Sequence, residues 1–369
     1  MGKQQALVER VGADPRPAAT PAREPAPLMI ERARELQAID RALKGAGDGR
    51  GELLLVSGPA GIGKTTLLDA ARARAEAAGL VVLRARADEH ERAFPYGVIR
   101  QLLEPTLRSS RGGRRARILD GAAAHAVPAV LGPDPGLPPE ADAFLLIHGL
   151  YWLVANLSHE SPLALLVDDL QWCDAPSLRF LTYLARRLDG LSATVTAALR
   201  SGEGGADDAL LAGLRVGRDA HVGDLAPLSK AGVDQLLSRA FGRPAEPEFV
   251  DRCFTVTGGN PFYLHELAAV LIADGMEPVQ ATVEHVSGAA PQTIVQATLA
   301  RLARAANGAV ELAHSLAVLG ADSDLPRAAD LAGLDLQQAA EALDALVAVE
   351  VIEPGSSLVF RHPIVRNAV

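Results

Sequence analysis

The most constraining feature of this chain is a glycine-rich octapeptide at residues 58–65, Gly-Pro-Ala-Gly-Ile-Gly-Lys-Thr. It matches the pattern G-x-x-x-x-G-K-[ST], with the apolar run Leu53–Ser57 before it and the helix-forming stretch Lys64–Ala78 after it. Glycines allow backbone angles that a β-carbon would penalise, so that N–H groups can converge on an anion at a helix N-terminus. The alternative, a chance glycine turn beside a solvated lysine, does not explain these flanks. The octapeptide therefore predicts a phosphate-binding loop between a buried strand and a helix.

The residue types in and just after the octapeptide predict how a nucleotide would bind. Lys64 would place a positive charge at the β- and γ-phosphates, and Thr65 would offer its hydroxyl to Mg²⁺. Thr66 is expected beside the α-phosphate. The predicted nucleotide-binding residues of this segment are Gly58, Pro59, Ala60, Gly61, Ile62, Gly63, Lys64, Thr65 and Thr66.

Two carboxylates end a second apolar run, the predicted strand Leu163–Asp168, which is followed by Asp169. Because strand carboxyl ends face the ligand crevice of an open parallel sheet, both side chains are expected beside the phosphate-binding loop. Asp168 is the predicted Mg²⁺ carboxylate, with a helix-capping or solvated acid as the alternative. Asp169 is a candidate for orienting or deprotonating the attacking water, and the sequence leaves a non-catalytic role equally open for it.

Apolar strands and amphipathic helices alternate between residues 53 and 225. This rhythm predicts an α/β fold with a parallel sheet flanked by helices. The predicted strands are Leu53–Ser57, Leu80–Ala85, Leu163–Asp168, Ala193–Leu199 and Val222–Leu225. Arg114–Leu131 is expected to be helical, and Asp174 is expected to cap the helix that begins after it. Trp172 and Cys173 are expected in the core.

After Pro227 the pattern changes to helices alone, and Gly275–Ala290 is a predicted polar linker between them. The predicted helices are Lys230–Ala240, Glu246–Thr255, Pro261–Ala273, Gln292–Ala305, Ala309–Leu319, Pro326–Ala332 and Leu336–Ala348. The last of them precede a predicted hairpin at Val351–Phe360, and three helices followed by a hairpin indicate a winged helix. We therefore expect a disordered tail at 1–27, an α/β P-loop domain at 28–227, a helical domain at 228–288 and a winged-helix-like domain at 289–369.

The charge and the composition indicate which binding partners and which cellular compartment to expect for this chain. With 36 basic and 45 acidic residues the net charge is −9, and an acidic chain repels phosphate backbones at long range. The two cysteines, Cys173 and Cys253, are too few for a disulfide scaffold and suit a reducing compartment. The apolar stretches are shorter than the ~20 residues of a membrane span, and the charged first residues do not form a signal peptide. A cytoplasmic location without a membrane partner is expected.

Several sequence blocks together resemble the STAND class of P-loop ATPases, and within it the large ATP-binding regulators of the LuxR family, the MalT-like group. The matching blocks are ERARELQAIDRAL (31–43), LLLVSGPAGIGKTTLL (53–68), RAFPYGVIRQLLEP (92–105), PLALLVDDLQWCDAPSLRFLTYLARRL (162–188), ATVTAALRSGE (193–203), TGGNPFYLHEL (257–267) and LVFRHPIVRNAV (358–369). This resemblance covers residues 30–369 and implies an AAA-like α/β domain followed by helical and winged-helix domains.

The resemblance implies roles for three further residues. Arg200 would sense the γ-phosphate from a strand end, with an ordinary surface arginine as the alternative. Pro261 matches a proline that packs on the adenine, although Asn260 and Pro261 also suit the start of a helix. His362 resembles a winged-helix histidine that reaches the β-phosphate of ADP, with an ordinary turn as the alternative.

The mode of action that the family implies is a switch. The catalytic residues would be Lys64, Asp169 and Arg200, and the Mg²⁺ ligands would be Thr65 and Asp168. ADP would keep the domains closed, and ATP with an unidentified small-molecule or protein inducer would open them. Mg²⁺-dependent ATP hydrolysis would reset the switch. This hydrolysis is expected to be slow, because many related ATPases carry the longer glutamate where this chain has Asp169. Self-association on ATP binding is also implied.

In such a regulator DNA is contacted through a C-terminal module, which is absent from this chain. The chain stops at Val369, within a helix predicted to begin at Pro363, so a fragment of a longer protein is expected. The predicted helix Leu336–Ala348 contains no lysine or arginine, whereas Glu341 and Asp344 lie on it. It is therefore expected to pack within the molecule and not to enter a DNA groove.

Two alternatives to the regulator remain open. The only dense positive patch of the sequence would be either a solvated surface or a weak nucleic-acid contact, and it consists of Arg108, Arg111, Arg114, Arg115 and Arg117. A stand-alone AAA-like ATPase that acts in signalling without a DNA target would carry the same motifs as the regulator.

Overall fold

The computed structural model describes residues 29–132, 143–201, 208–215, 221–288, 294–295, 298, 302, 307–320, 324–349, 351–353 and 358–369. The predicted tail at 1–27 and most of the predicted helix Gln292–Ala305 lie outside these residues.

Five parallel strands form one sheet in the order β2-β3-β4-β1-β5. Their bounds are Leu53–Gly58 (β1), Val81–Arg86 (β2), Leu163–Asp168 (β3), Ala193–Arg200 (β4) and His221–Asp224 (β5), which confirms the predicted parallel sheet. The register places Gly58 beside Arg200 and Arg86 beside Asp168. The carboxyl ends of four strands therefore meet at one edge of the sheet.

Helices cover both faces of the sheet, as the α/β prediction requires. They are α1 (Ala33–Gly47), α2 (Lys64–Ala77), α3 (Gly97–Ser109), α4 (Gly112–Ile118), α5 (Val127–Leu131), α6 (Ala143–Glu160), α7 (Ala175–Ala185) and α8 (Asp208–Arg215). Leu53 and Leu55 of β1 pack with one group of helices, whereas Leu54 and Val56 pack with α1 and α2 on the other face. Because successive side chains of a strand point to opposite faces, such a strand is apolar along its whole length. We call residues 33–224 the α/β part.

The segment Arg114–Leu131, which was predicted to be helical, does not form one continuous helix. The segment consists of α4, a 3₁₀ turn at Gly121–Ala126 and α5. Gly121 has φ +60°, which interrupts a helix, and Pro128 lies in the first turn of α5. Proline lacks the N–H that a continuous helix would need there, so the chain restarts a helix instead of extending one.

After β5, the residues that the structure describes form helices, a 3₁₀ turn and short pairings. The helices are α9 (Lys230–Phe241), α10 (Pro247–Thr257), α11 (Pro261–Ala273), α12 (Val283–Gly288), α13 (Ala309–Leu319), α14 (Leu325–Ala332), α15 (Leu336–Ala348) and α16 (Pro363–Ala368). The described residues from 228 onward, which we call the helical part, share one hydrophobic core with Ile30.

The prediction of a polar linker over Gly275–Ala290 is wrong, because this segment contains a 3₁₀ turn at Gln280–Thr282 and then α12. Val286 of α12 is fully buried in the core of the helical part, so burial of an apolar side chain orders a segment that looks polar in the sequence.

Ile352 and Phe360 form an antiparallel bridge near the end of the chain. The Glu353 N–H donates to the Val359 carbonyl at 2.9 Å, and the Arg361 N–H donates to the Val351 carbonyl at 3.0 Å. The two arms of the predicted hairpin therefore pair where they are described. No helix in the described ranges has both the length and the apolar character needed to cross a membrane.

Candidate functional site

The octapeptide connects the end of β1 to the first residue of α2. Gly61 and Gly63 have φ values of +78° and +99°, a left-handed conformation that favours glycine. A β-carbon on Gly61 would lie 2.8 Å from Cβ of Phe262 and 2.9 Å from Oδ1 of Asn260, so a second element approaches the loop closely there. The first N–H groups of α2 lack acceptors within the helix and can bind an anion.

Lys64 is almost buried and folds over the loop. Its ammonium donates hydrogen bonds to the carbonyls of Gly58 at 2.7 Å and Pro59 at 2.8 Å. The carbonyl of Ile62 accepts from Arg32 at 3.4 Å. These contacts fix the path of the loop and keep the lysine at its wall.

Thr65 and Asp168 provide two adjacent oxygens where a divalent cation would bind. Oγ1 of Thr65 donates to Oδ2 of Asp168 at 2.8 Å, and Oδ1 of Asp168 accepts from the Asp169 N–H at 2.9 Å. A hydroxyl beside a carboxylate fits the hard oxygen donors that Mg²⁺ prefers, with phosphates and waters as further ligands. Among the described residues, no group of three or more His, Cys, Asp or Glu side chains could hold a metal by itself.

Asp169 lies in a network of cations and amides that the sequence did not predict. Its carboxylate accepts from Nε of Arg86 at 3.1 Å and from Nε2 of Gln171 at 3.0 Å, and lies 3.5 Å from Nε of Arg200. Oε1 of the buried Gln171 accepts in turn from the Arg200 N–H at 3.1 Å. Arg86 ends β2 beside Asp168, and its position at a strand carboxyl end is the signal that could have identified it.

The helical part closes the other side of the site. Nδ2 of Asn260 donates to the carbonyl of Ala60 at 3.0 Å, and the Phe262 N–H donates to the carbonyl of Gly61 at 3.2 Å. Oδ1 of Asn260 accepts from the Phe262 N–H at 3.0 Å, which confirms the predicted start of this helix, with Pro261 as its first residue. The phosphate-binding loop therefore lies directly against the N-terminus of α11.

A cavity of about 710 Å³ opens between these elements. It is lined from the α/β part and the preceding segment by Ile30, Ala60, Gly61, Gly63, Lys64, Thr65, Thr66, Arg86, Asp169 and Arg200. It is lined from the helical part by Leu236, Arg239, Ala240, Pro261, Phe262 and His265. Lysine and arginine outnumber carboxylates on this wall, which suits a polyphosphate, and the apolar residues suit a base. No motif in the sequence marked Ile30 or the residues from α9.

His362 lies at a different place from the other predicted site residues. Its ring meets the ring of Tyr263 edge to face with 5.4 Å between centroids, and it packs against Gly258. It is not part of the cavity wall. Its predicted contact with a β-phosphate therefore stays a prediction.

The residues after Asp169 have structural partners. Oδ1 of Asp174 accepts from the Ser177 N–H at 2.9 Å, so the predicted helix cap is present. Cys173 is buried, and Trp172 packs against the same core. Burial and the neighbouring Asp174 charge raise the pKa of the Cys173 thiol well above its ordinary value.

The predicted arginine patch is partly paired with carboxylates. Arg114 and Arg117 both pair with Glu160, at 2.9 Å and 3.2 Å, and Arg108 pairs with Glu104 at 2.5 Å. The Arg114 hydrogen bond is the main reason that the pKa of Glu160 is lowered. Two carboxylates thus pair with three of the five arginines, and the alternative of a weak nucleic-acid contact at this patch stays a prediction.

The α/β part is similar to known proteins both in sequence and in fold. Residues 29–196 match the family model of the AAA ATPase domain. The fold is similar to that of a Walker-type ATPase of Pyrococcus abyssi, at 13% identity and a TM-score of 0.56, over 92% of this chain and 95% of that one. The Aeropyrum pernix ORC1 protein, solved in complex with DNA, matches with 15% identity and a TM-score of 0.49, over 93% of each chain. The Thermotoga maritima RuvB Holliday junction branch migration motor matches with 14% identity and a TM-score of 0.46, over 91% of this chain and 94% of that one.

No curated protein matches the chain by sequence. At such low identity the structural likeness shows a shared fold alone, and the likeness to the Pyrococcus ATPase supports it. Together with the family model and the loop geometry, it shows that the chain contains an AAA ATPase domain of the P-loop type, in residues 29–196.

Proposed function

We propose that this chain is a nucleotide-controlled switch ATPase, the ATP/ADP-binding module of a STAND-class, LuxR-type transcriptional regulator. The observation that carries the proposal is the contact of Asn260 and Phe262 with Ala60 and Gly61, because it sets the helical part directly on the phosphate-binding loop. A nucleotide on the loop would touch both parts of the molecule, so a change in its phosphates would bear on how the two parts are joined.

In this proposal ATP or ADP binds along the octapeptide. The N–H groups of the loop and the Lys64 ammonium hold the β- and γ-phosphates, Thr66 borders the α-phosphate, and Pro261 packs on the adenine. Thr65 and Asp168 hold Mg²⁺, which supplies charge neutralisation at the phosphates when bound. The predicted contact of His362 with ADP would require the C-terminal segment to approach the cavity.

Hydrolysis in this proposal depends on Asp169 and Arg200. Asp169 accepts the proton of the attacking water, and Arg200 responds to the γ-phosphate. In the described arrangement the Asp169 carboxylate is held by Arg86 and Gln171 and lies beside Arg200. A carboxylate that must exchange such partners before it meets water suits a slow ATPase, which is what a switch requires.

The wider roles follow the family resemblance. Residues 28–227, 228–288 and 289–369 would be the ATPase, helical and winged-helix domains of a cytoplasmic protein. An unidentified inducer would favour the ATP form, which would self-associate, and DNA would be bound through a module C-terminal to this chain.

The proposal is tested by identifying and titrating the nucleotide of the purified protein. The protein is denatured, and the released nucleotide is separated by ion-exchange chromatography. We expect ADP that exchanges for ATP, together with different protease sensitivity of the ADP and ATP forms, because the two parts would be joined differently. A protein that binds neither nucleotide would contradict the proposal, and identical digestion patterns would contradict the switch.

A further inference from the structure

The four residues before α1, Met29 to Arg32, connect the two parts of the molecule. Met29 packs against the core on the α1 and α2 face of the sheet, whereas Ile30 belongs to the core of the helical part. Ile30 also lines the cavity. The position of this short segment therefore decides where one wall of the cavity lies.

Glu31 joins this segment to the beginning of α9. Its carboxylate accepts from the Ser229 N–H at 2.8 Å and from the Ser229 hydroxyl. Ser229 is the residue that caps α9, since its Oγ accepts from the Gly232 N–H at 3.3 Å. A carboxylate at a helix N-terminus is also favoured by the helix dipole. The Ser229 hydroxyl is the main reason that the pKa of Glu31 lies below its ordinary value.

Two features show that this contact is specific. Glu31 has φ +55°, a left-handed conformation that costs free energy in any residue with a β-carbon. Gly232 leaves the room for its side chain, because a β-carbon there would lie 2.8 Å from Cδ of Glu31. The surrounding contacts must offset the cost of that backbone conformation.

Arg32 fixes the same segment from the other side. It is buried, and its guanidinium donates to the carbonyl of Ala226 at 2.7 Å and to the carbonyl of Ile62 at 3.4 Å. Ile62 lies in the phosphate-binding loop, and Ala226 lies in the connection from β5 to α9. The segment thus contacts the loop, the connection and the first helix of the helical part.

We propose that Glu31 is a positioning residue for the nucleoside end of the cavity. Its carboxylate holds the start of α9 against the segment that carries Ile30, so that Ile30 and Leu236 of α9 form one apolar wall. The base of a nucleotide would pack on this wall, while its phosphates would bind at the octapeptide. This inference rests on the proposed nucleotide function and adds a residue that has no role in holding phosphate.

The test compares ATP with inorganic tripolyphosphate, which lacks a base, by titration calorimetry on the full chain. Glu31→Gln keeps the size of the side chain but removes its charge. It also replaces one of the two oxygens that accept from Ser229 with an amide NH₂ group, which cannot accept. We expect ATP to bind roughly fivefold to tenfold more weakly and tripolyphosphate to change by less than about twofold. Ser229→Ala should act in the same direction, and the double variant should be no weaker than the worse single variant, because both remove one contact.

Glu248→Gln is the matched control, because Glu248 is an exposed acid in the first turn of α10 and does not line the cavity. It should leave both affinities unchanged. Normal ATP binding by Glu31→Gln would overturn the inference, and so would an equal loss of ATP and tripolyphosphate binding, which indicates general damage. An unmodified chain that binds neither compound would overturn the proposed function, and this inference with it.

Discussion

Oγ1 of Thr65 donates a hydrogen bond to Oδ2 of Asp168 at 2.8 Å, although the two residues are 103 positions apart. The sheet explains the contact, because β4 lies between β3 and β1 and aligns the carboxyl ends of all three strands. The hydroxyl that follows the octapeptide lysine therefore meets the last carboxylate of β3. In the proposed function this pair holds Mg²⁺.

Asp168→Ala should make nucleotide binding insensitive to Mg²⁺. The variant loses the only carboxylate hydrogen-bonded to Thr65 in the described part of the chain, so we expect Mg²⁺ to strengthen ATP binding at least about tenfold less than in the unmodified protein. Titrations of ATP with Mg²⁺ and with EDTA measure this difference. Asp274→Ala, at the exposed end of α11, is the control that should retain it. If the unmodified protein binds ATP equally well in both buffers, the role of Asp168 is wrong.

Lys64→Ala should abolish ATP binding without unfolding the chain. The ammonium donates to the carbonyls of Gly58 and Pro59, and losing such hydrogen bonds costs about 1 kcal/mol each, well below the stability of a typical domain. No other residue of the octapeptide carries a positive charge, so the charge that the variant loses beside the phosphates is not replaced. Calorimetric titration and thermal unfolding by circular dichroism measure the two effects separately. A variant with normal ATP affinity would refute the site.

Asp169→Asn separates catalysis from binding. Asparagine keeps an acceptor for Arg86 or Gln171 but cannot take a proton from water, so we expect kcat to fall by about 100-fold or more and ATP affinity to stay within about threefold. Steady-state phosphate release and equilibrium titration give the two values. An unchanged kcat would assign Asp169 a purely structural role, with its arginine and glutamine contacts as the reason for its position.

The strands and the octapeptide were predictable because their signals are local. Leu163–Asp168 is an uninterrupted apolar run that ends in a carboxylate, and the structure gives it the same bounds. Arg86 and Gln171 were missed because their importance depends on which strands are neighbours, which a single sequence does not specify. The helix α8 was not predicted, although Leu211 and Leu214 lie at helical spacing and pack in the core of the α/β part.

The cavity residues that belong to the helical part could not be predicted from the sequence either. Asn260 and Pro261 are recognisable as a helix start, but nothing local indicates that the amide of Asn260 reaches Ala60 across 200 positions. Leu236 and Arg239 lie on α9 and His265 lies on α11, and the packing of these helices turns the three side chains towards the cavity. Residues brought together by tertiary contacts between two parts of a chain carry no periodic signal.

Both thiols should be unreactive in the folded protein. Cys173 and Cys253 are buried, and burial raises the pKa of Cys253 to about 12, so neither forms thiolate near neutral pH. We expect less than about 0.1 equivalent to react rapidly with Ellman's reagent at pH 8, and both to react in guanidinium. Because the folded pKa lies above the unfolded one, the stability linked to Cys253 is present below its ordinary value of 9.0 and is lost as the pH rises towards about 12. Rapid reaction of the native protein would show that a thiol is accessible.

Asn260→Asp isolates the contact between the helical part and the phosphate-binding loop. Aspartate still accepts from the Phe262 N–H and caps α11, so the midpoint of thermal unfolding should change by no more than about 2 °C. It cannot donate to the Ala60 carbonyl, and it brings a negative charge beside the loop, so ATP should bind about tenfold more weakly. Asn156→Asp is the matched control, because the Asn156 amide donates to the carbonyls of Ile118 and Asp120 and none of these three residues lines the cavity. The control should leave ATP affinity unchanged, and normal ATP affinity in Asn260→Asp would mean that nucleotide binding does not depend on how α11 contacts the loop.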